Sequence, residues 1–245
     1  MIMSETRSTD PVVDSVRAAQ AVVLRRAIRG LWTQLPTLSV AGAAVAGAAG
    51  LTIMISQWSI SGLVLLPLLI GPTAAALSAV ADDVLARDDT TLRSWWTAIR
   101  LFAGFGVRTM IIVGAPALLL LGALLALQRS GSPIAYLPVI VSAIVTMITG
   151  ATVIAVLPLG VSRPRLRGRL LWLTAAHLVA RRPVRFLAPV CLLGLGIWAA
   201  HALTGTLLIL VPAPVALLAG AACWTTMLEL SSAGLERYEE RKVTT

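Results

Sequence analysis

"LWTQLPTLSVAGAAVAGAAGLTIMISQWSISGLVLLPLLIGPTAAALSAVA", Leu31–Ala81, runs for 51 residues without one charged side chain. A single helix needs about 20 apolar residues to cross the hydrocarbon of a bilayer. The run is too long for one such helix, and it fits two helices that are joined by a tight turn. We expect that turn near Ser56–Gly62, so the stretch predicts a membrane hairpin.

The composition of the whole chain agrees with this class. The chain is 58% hydrophobic and 13% charged, and its mean hydropathy is +0.88. An ordinary soluble domain is about a quarter charged. Cys191 and Cys223 both lie in apolar runs, where they are expected to pack as small hydrophobes. The first 30 residues carry eight charged side chains and no short apolar core, so we expect no cleavable signal peptide.

The remaining uncharged runs predict four more spans. Thr109–Gln128 is 20 residues long and makes one span, and residues 135–160 make another. Phe186–Leu228 is 43 residues long, which is enough for two spans divided near Val211–Val215. The predicted fold is an all-α polytopic membrane protein with six transmembrane helices and with interfacial amphipathic helices.

The positive charges predict the orientation. With six spans and the N-terminus inside, 19 of the 20 Lys and Arg residues fall in cytoplasmic segments, and only Arg129 lies outside. Cytoplasmic loops of membrane proteins are enriched in Lys and Arg. We therefore expect an inner (plasma) membrane protein with both termini in the cytoplasm. The expected domains are a disordered cytoplasmic tail, a helical membrane domain and a second cytoplasmic tail, at 1–14, 15–232 and 233–245.

Two cytoplasmic segments resemble each other. Trp95–Arg108 and Trp172–Arg185 are identical at seven of fourteen aligned positions, without a gap. Each copy follows a pair of spans and leads into the next span. This pattern predicts an internal parallel repeat of a hairpin and an interfacial helix. Chance similarity within a biased composition is the alternative.

Each copy has the spacing of an amphipathic helix. In the first copy the apolar positions recur at three- and four-residue steps, and Arg93 and Arg100 lie on the opposite face. An apolar face with aromatic residues beside a basic face is typical of a helix at the membrane surface. The alternative is an ordinary short loop with snorkelling arginines. The predicted interfacial face comprises Leu92, Trp95, Trp96, Ile99 and Phe102.

The second copy lies in the stretch Ser162–Phe186, which contains seven arginines and no acid. Each Lys or Arg close to an anionic leaflet contributes about 1 kcal/mol to binding. We expect these arginines to bind anionic lipid of the inner leaflet or an acidic partner, with the first four on an extended segment along the headgroups. They are Arg163, Arg165, Arg167, Arg169, Arg181, Arg182 and Arg185.

Small residues in the first span form a stripe. Gly42, Ala46 and Gly50 recur at four-residue steps, which lets helix backbones approach closely. The stripe predicts helix packing, either within the bundle or against another subunit.

The sequence offers little for catalysis. It contains no glycine-rich phosphate loop, no HExxH motif and no Cys/His cluster with metal spacing, so we expect no enzyme activity, cofactor, metal or nucleic-acid partner. The only dense acid cluster comprises Asp82, Asp83, Asp88 and Asp89. His201 falls within the fifth span, where a hydrogen bond between helices or a position at the interface is favoured over a proton relay.

The segment "GPTAAALSAVADDVLARDDTTLRSWWTAIR", Gly71–Arg100, resembles the YesL family of bacterial membrane proteins. Pro72 and Thr73 match the end of the family's second span, Asp88–Asp89 its charged turn, and Trp95–Trp96 its aromatic helix. The order of spans and basic loops fits over about 20–230. The resemblance implies a non-catalytic accessory or scaffold protein beside a carbohydrate ABC transport system. The alternatives are a transport subunit or permease for a small solute and, less favoured, a lipid-processing membrane enzyme.

Overall fold

The computed structural model describes residues 11–57, 62–87, 90–130, 132, 134, 136–203 and 205–243. Within these residues the chain forms α-helices, a 3-10 helix at Gly205–Ile209 and no strand. The protein is therefore all-α, as its sequence predicts. The helices are α1 (Pro11–Thr33), α2 (Leu35–Ser56), α3 (Gly62–Arg87), α4 (Leu92–Ser130), α5 (Tyr136–Ser162), α6 (Gly168–Arg181), α7 (Pro183–Ala202), the 3-10 helix (Gly205–Ile209) and α8 (Pro212–Val243).

Six of these helices are long and apolar enough to cross a membrane, namely α2, α3, α4, α5, α7 and α8. The number of spans predicted from the sequence is confirmed. Helix α2 ends at Ser56 and α3 begins at Gly62, and most of the predicted turn between them, residues 58–61, lies outside the described residues. The last apolar run divides where α8 begins at Pro212. Proline fits the first turn of a helix because that position needs no donated backbone hydrogen bond.

Helix α4 differs from the expected arrangement because it runs without a break for 39 residues. At 1.5 Å per residue it is about 58 Å long, roughly twice the thickness of the hydrocarbon. The first copy of the repeat is thus the beginning of a spanning helix and not a separate interfacial helix. In the second copy Pro183, aligned with Gly106 of the first, separates α6 from α7 because proline interrupts helical hydrogen bonding. The repeat itself stays a prediction.

Both ends of the described chain are more helical than expected. Helix α1 begins at Pro11, so the last four residues of the expected disordered tail are helical, while residues 1–10 lie outside the described residues. Helix α8 continues to Val243, through most of the expected tail 233–245. Neither 12–29 nor 235–243 contains a Gly or Pro, so nothing interrupts helical hydrogen bonding there.

Helix α3 lies at the centre of the bundle and contacts α1, α2, α4, α5 and α8. Its buried face consists mostly of small side chains, including Ala75, Ala76 and Ala79. The closest approach is between Gly71 of α3 and Gly106 of α4. A Cβ atom added to Gly71 would lie 2.6 Å from the carbonyl carbon of Gly106, so only glycine allows this backbone contact.

Beyond the glycine contact, α3 and α4 leave an apolar cavity of about 610 Å³. It is lined by Leu66–Leu68 of α3 and by apolar residues of α4 between Met110 and Leu121. The side chains that line this cavity are all apolar, so none of them can fix the orientation of a polar solute.

Candidate docking surface at the basic end

One end of the bundle gathers α1, the connection between α3 and α4, helix α6 and the last turns of the span in α8; we call it the basic end. Arg26 of α1 donates hydrogen bonds to the carbonyl oxygens of Leu85 and Ala86, each at 3.3 Å. The hydroxyl of Thr90, in the connection after α3, donates a hydrogen bond to the side-chain oxygen of Gln34 at 3.3 Å. These contacts tie α1 and the beginning of α2 to the C-terminal end of α3.

The connection between α5 and α6 is a compact turn and not the extended segment that the sequence suggested. The backbone N–H of Leu166 donates to the carbonyl oxygen of Arg163 at 2.9 Å. Pro164 occupies the second position of this turn, where its fixed φ angle is favourable. Leu166 packs against the core beneath, while the arginines around it point outward. We call residues 163–169 the arginine turn.

The arginine turn presents four exposed side chains, Arg163, Arg165, Arg167 and Arg169. Among the described residues none of them forms an ion pair, and Arg167 donates only to the carbonyl oxygen of Pro164, at 3.1 Å. The guanidinium groups are therefore available to an anionic partner. These four arginines, like Arg181, are exposed members of the predicted arginine surface.

The arginine turn leads into helix α6, which is packed firmly against the bundle. Leu171, Ala175 and Leu178 are buried against α5 and α8. The opposite face exposes Leu170 and Leu173, which are 58% and 65% exposed. Helix α6 is thus amphipathic, with its most buried side against the protein and arginines at both ends, and its predicted position at the membrane surface stays a prediction.

Glu229 of α8 forms ion pairs with two arginines of the predicted surface. Its carboxylate forms ion pairs with Arg182, at 3.2 Å, and with Arg185. Both arginines flank Pro183 at the junction of α6 and α7, so the pairs fasten this junction to α8. Arg185 is only partly exposed and pairs with Glu229, so it is less available than the arginines of the turn, and its predicted role in binding lipid or a partner stays a prediction. Arg181 remains exposed.

The same carboxylate also holds α1. Gln20 donates to Glu229 at 3.0 Å and lies 3.4 Å from the carbonyl oxygen of Thr225. Charged groups strengthen such hydrogen bonds. Glu229 therefore connects α1, the junction of α6 and α7, and α8. This role cannot be read from the sequence because Gln20 and Glu229 are 209 residues apart.

The acid cluster is also used in packing. The indole Nε1 of Trp224 donates to Asp82 at 2.8 Å, which joins α8 to α3. Asp83 is half-buried nearby, whereas Asp88 and Asp89 lie outside the described residues. In the described part of the chain no three His, Cys, Asp or Glu side chains come close enough to hold a metal ion.

The predicted interfacial face of α4 is divided between the core and the exterior. Trp95, Ile99 and Phe102 pack against buried alanines of α3, including Ala76 and Ala79. They contact protein because α4 lies along α3 in this region. Leu92 and Trp96 are each 52% exposed, and the guanidinium of Arg100 lies 5.4 Å from the Trp96 ring centre, a cation–π contact.

The small-residue stripe of α2 is packed within the bundle at two of its three positions. A Cβ atom on Gly42 would lie 3.0 Å from the carbonyl oxygen of Ile209 and 3.6 Å from Ala213. Ala46 is buried as well. Gly50 is exposed and has no neighbour within 4 Å of an added Cβ atom. The stripe thus allows the connection between α7 and α8, at Ile209 and Ala213, to pack closely against α2.

The two histidines are exposed and lie apart from these contacts. His177 is on the outer face of α6, and His201 is in the last turn of α7. The hydrogen bond between helices that was favoured for His201 is not seen in the described part of the chain.

Comparison of the chain with protein-family models, with curated proteins and with solved structures finds no match.

Proposed function

We propose that this protein is a non-catalytic accessory or scaffold component of the plasma membrane, associated with a carbohydrate ABC transport system. In this proposal both termini and the basic end face the cytoplasm. The association with transport rests on the resemblance to the YesL family, and the orientation rests on the distribution of Lys and Arg.

The arginine turn is the observation that carries the proposal. It holds four exposed arginines at the beginning of α6, a helix whose other face is buried, so the charges are presented next to a packed element. Arginine binds carboxylates and phosphates with paired hydrogen bonds. An acidic surface of a transporter subunit, with anionic lipid around it, suits such a site.

The placement of the carboxylates also favours a structural role. Glu229 pairs with two arginines and a glutamine, and Asp82 accepts a hydrogen bond from Trp224. Both carboxylates hold helices together. A carboxylate that acts on a substrate needs access to it, and these two are occupied by the protein itself.

Affinity purification from native membranes in mild detergent tests this proposal. The parent chain is compared with a variant in which Arg163, Arg165, Arg167 and Arg169 are changed to Gln. Subunits of a carbohydrate ABC transporter should be recovered with the parent and lost with the variant. A control variant, Arg93→Gln with Arg108→Gln, removes exposed arginines of α4 and should retain them.

Two results contradict the proposal. If no transporter subunit is recovered with the parent chain, the protein is not associated with the transporter. If equal amounts are recovered with the four-arginine variant, the arginine turn is not the docking site. If native mass spectrometry shows that the variant loses anionic lipid while it keeps the transporter, the turn is a lipid site and docking occurs elsewhere.

A further inference from the structure

Helix α1 has an outward apolar stripe that the bundle leaves uncovered. Leu24, Ile28 and Trp32 follow one another at four-residue steps and are 51%, 58% and 71% exposed. Residues at this spacing lie on one side of a helix. The stripe is separate from the arginine turn, and the function proposed above does not use it.

The position of α1 is fixed by its other side. Val23 and Ala27 pack with Leu85, Ala221 and Trp224. A Cβ atom on Gly30 would collide with the side chain of Val84, so the helix touches α3 there. Because this side is packed, the stripe has a fixed outward direction.

Arginines accompany the stripe along its length. Arg25 and Arg29 follow Leu24 and Ile28 by one residue, and both are exposed. No acid occurs between Ser15 and Ala81, so every charged side chain of α1 after Asp14 is an arginine. An apolar stripe that runs beside arginines matches the chemistry of a boundary between acyl chains and anionic headgroups.

The connection to α2 leads to the same conclusion. Only Gln34 separates α1 from the spanning helix α2, whose exposed residues include Leu35 and Val40. The stripe therefore continues into a surface that lipid covers. Trp32, at the end of α1 next to the span, has the position that tryptophan favours at membrane–water interfaces.

We propose that α1 is a membrane-surface helix that binds the anionic leaflet at the basic end. Leu24, Ile28 and Trp32 enter the acyl region, while Arg25 and Arg29 bind the phosphates of anionic lipids. The occupant of this face is the bilayer and not a second copy of the chain or another protein.

Photocrosslinking in the full chain tests this proposal. Ile28 is replaced by the photoreactive residue benzoylphenylalanine, and the protein is reconstituted in vesicles of phosphatidylglycerol and phosphatidylcholine. Replacement of Arg29 at the next position is the matched control, since both sites are exposed on the same helix. We expect adducts on lipid acyl chains at position 28 in several-fold excess over position 29.

The charge contribution is tested in the same assay. A single arginine near an anionic surface changes membrane binding about fivefold. The adduct yield at position 28 should therefore fall when phosphatidylglycerol is omitted or when Arg25 and Arg29 are changed to Gln. Size-exclusion chromatography verifies that each variant folds like the parent.

Three results overturn the proposal. Equal acyl adducts at positions 28 and 29 mean that the stripe is not in the acyl region. A dominant adduct to a second copy of the chain means that the face is a protein interface. An unchanged yield without phosphatidylglycerol and after loss of both arginines means that the headgroups are not recognised.

Discussion

The backbone contact between α3 and α4 makes the effect of Gly71→Ala calculable. The new Cβ atom would lie 2.6 Å from the carbonyl carbon of Gly106, 2.7 Å from its oxygen and 2.7 Å from the nitrogen of Val107. These are backbone atoms, so no change of rotamer relieves the overlap. Ordinary van der Waals contacts begin at 3.4 Å, so the helices must separate by about 0.8 Å at the shortest of these contacts, in a closely packed interior.

Overpacking of this kind costs about 1–3 kcal/mol, and the backbone on both sides places this case near the upper limit. The greater helix propensity of alanine offsets about 1 kcal/mol of that cost. The expected net loss in the free energy of unfolding is about 2 kcal/mol, which for a chain of this size lowers Tm by about 4–8 °C. Tm is measured by heating the detergent-purified protein and quantifying the remaining monodisperse peak on size-exclusion chromatography.

Gly114→Ala is the matched control, because Gly114 lies on α4 and an added Cβ atom there meets nothing within 4 Å. This variant should keep or raise the Tm by the helix propensity of alanine alone. The reasoning is refuted if Gly71→Ala melts at the parent temperature or above it, or if the two variants shift the Tm equally.

Three further outcomes are expected. Glu229→Gln should lower the free energy of unfolding by about 2 kcal/mol, because it weakens hydrogen bonds to two arginines; an unchanged Tm would contradict the role of Glu229 as a connection between helices. Trp224→Phe should cost about 1 kcal/mol, whereas Asp82→Asn should cost less because its amide oxygen still accepts the indole N–H; equal losses in thermal unfolding would refute this account. Reporter fusions after Arg129 and Thr245 should report outside and inside, and an outside C-terminus would show that the membrane orientation proposed here is wrong.

The number of spans could be read from the sequence because crossing a bilayer depends on local composition. A run of about 20 apolar residues has its own preference for the hydrocarbon, whatever its neighbours are. For this reason the uncharged run Leu31–Ala81 predicts α2 and α3, and the run Phe186–Leu228 predicts α7 and the spanning part of α8. Pro183, just before the second run, and Pro212, in the middle of it, also locate the beginnings of α7 and α8.

The sequence also identified which side chains are candidates for the basic end, but it could not show which of them are exposed and which are paired with a carboxylate. Arg163 and Arg185 look alike in a list of arginines, yet one is open and the other pairs with a carboxylate 44 residues away. Charge density is a property of a segment, whereas availability depends on what another helix brings beside it.

Local patterns therefore determined the all-α class, the six apolar helices and the basic character of the connecting segments. Only the tertiary structure decided that Trp95 and Phe102 face α3, that Gly71 meets Gly106, and that Glu229 holds α1. Each of these depends on pairs of residues distant in the chain. The hydrophobic transfer that selects a span acts on each segment alone, while close packing and hydrogen bonding between helices act only after the segments have assembled.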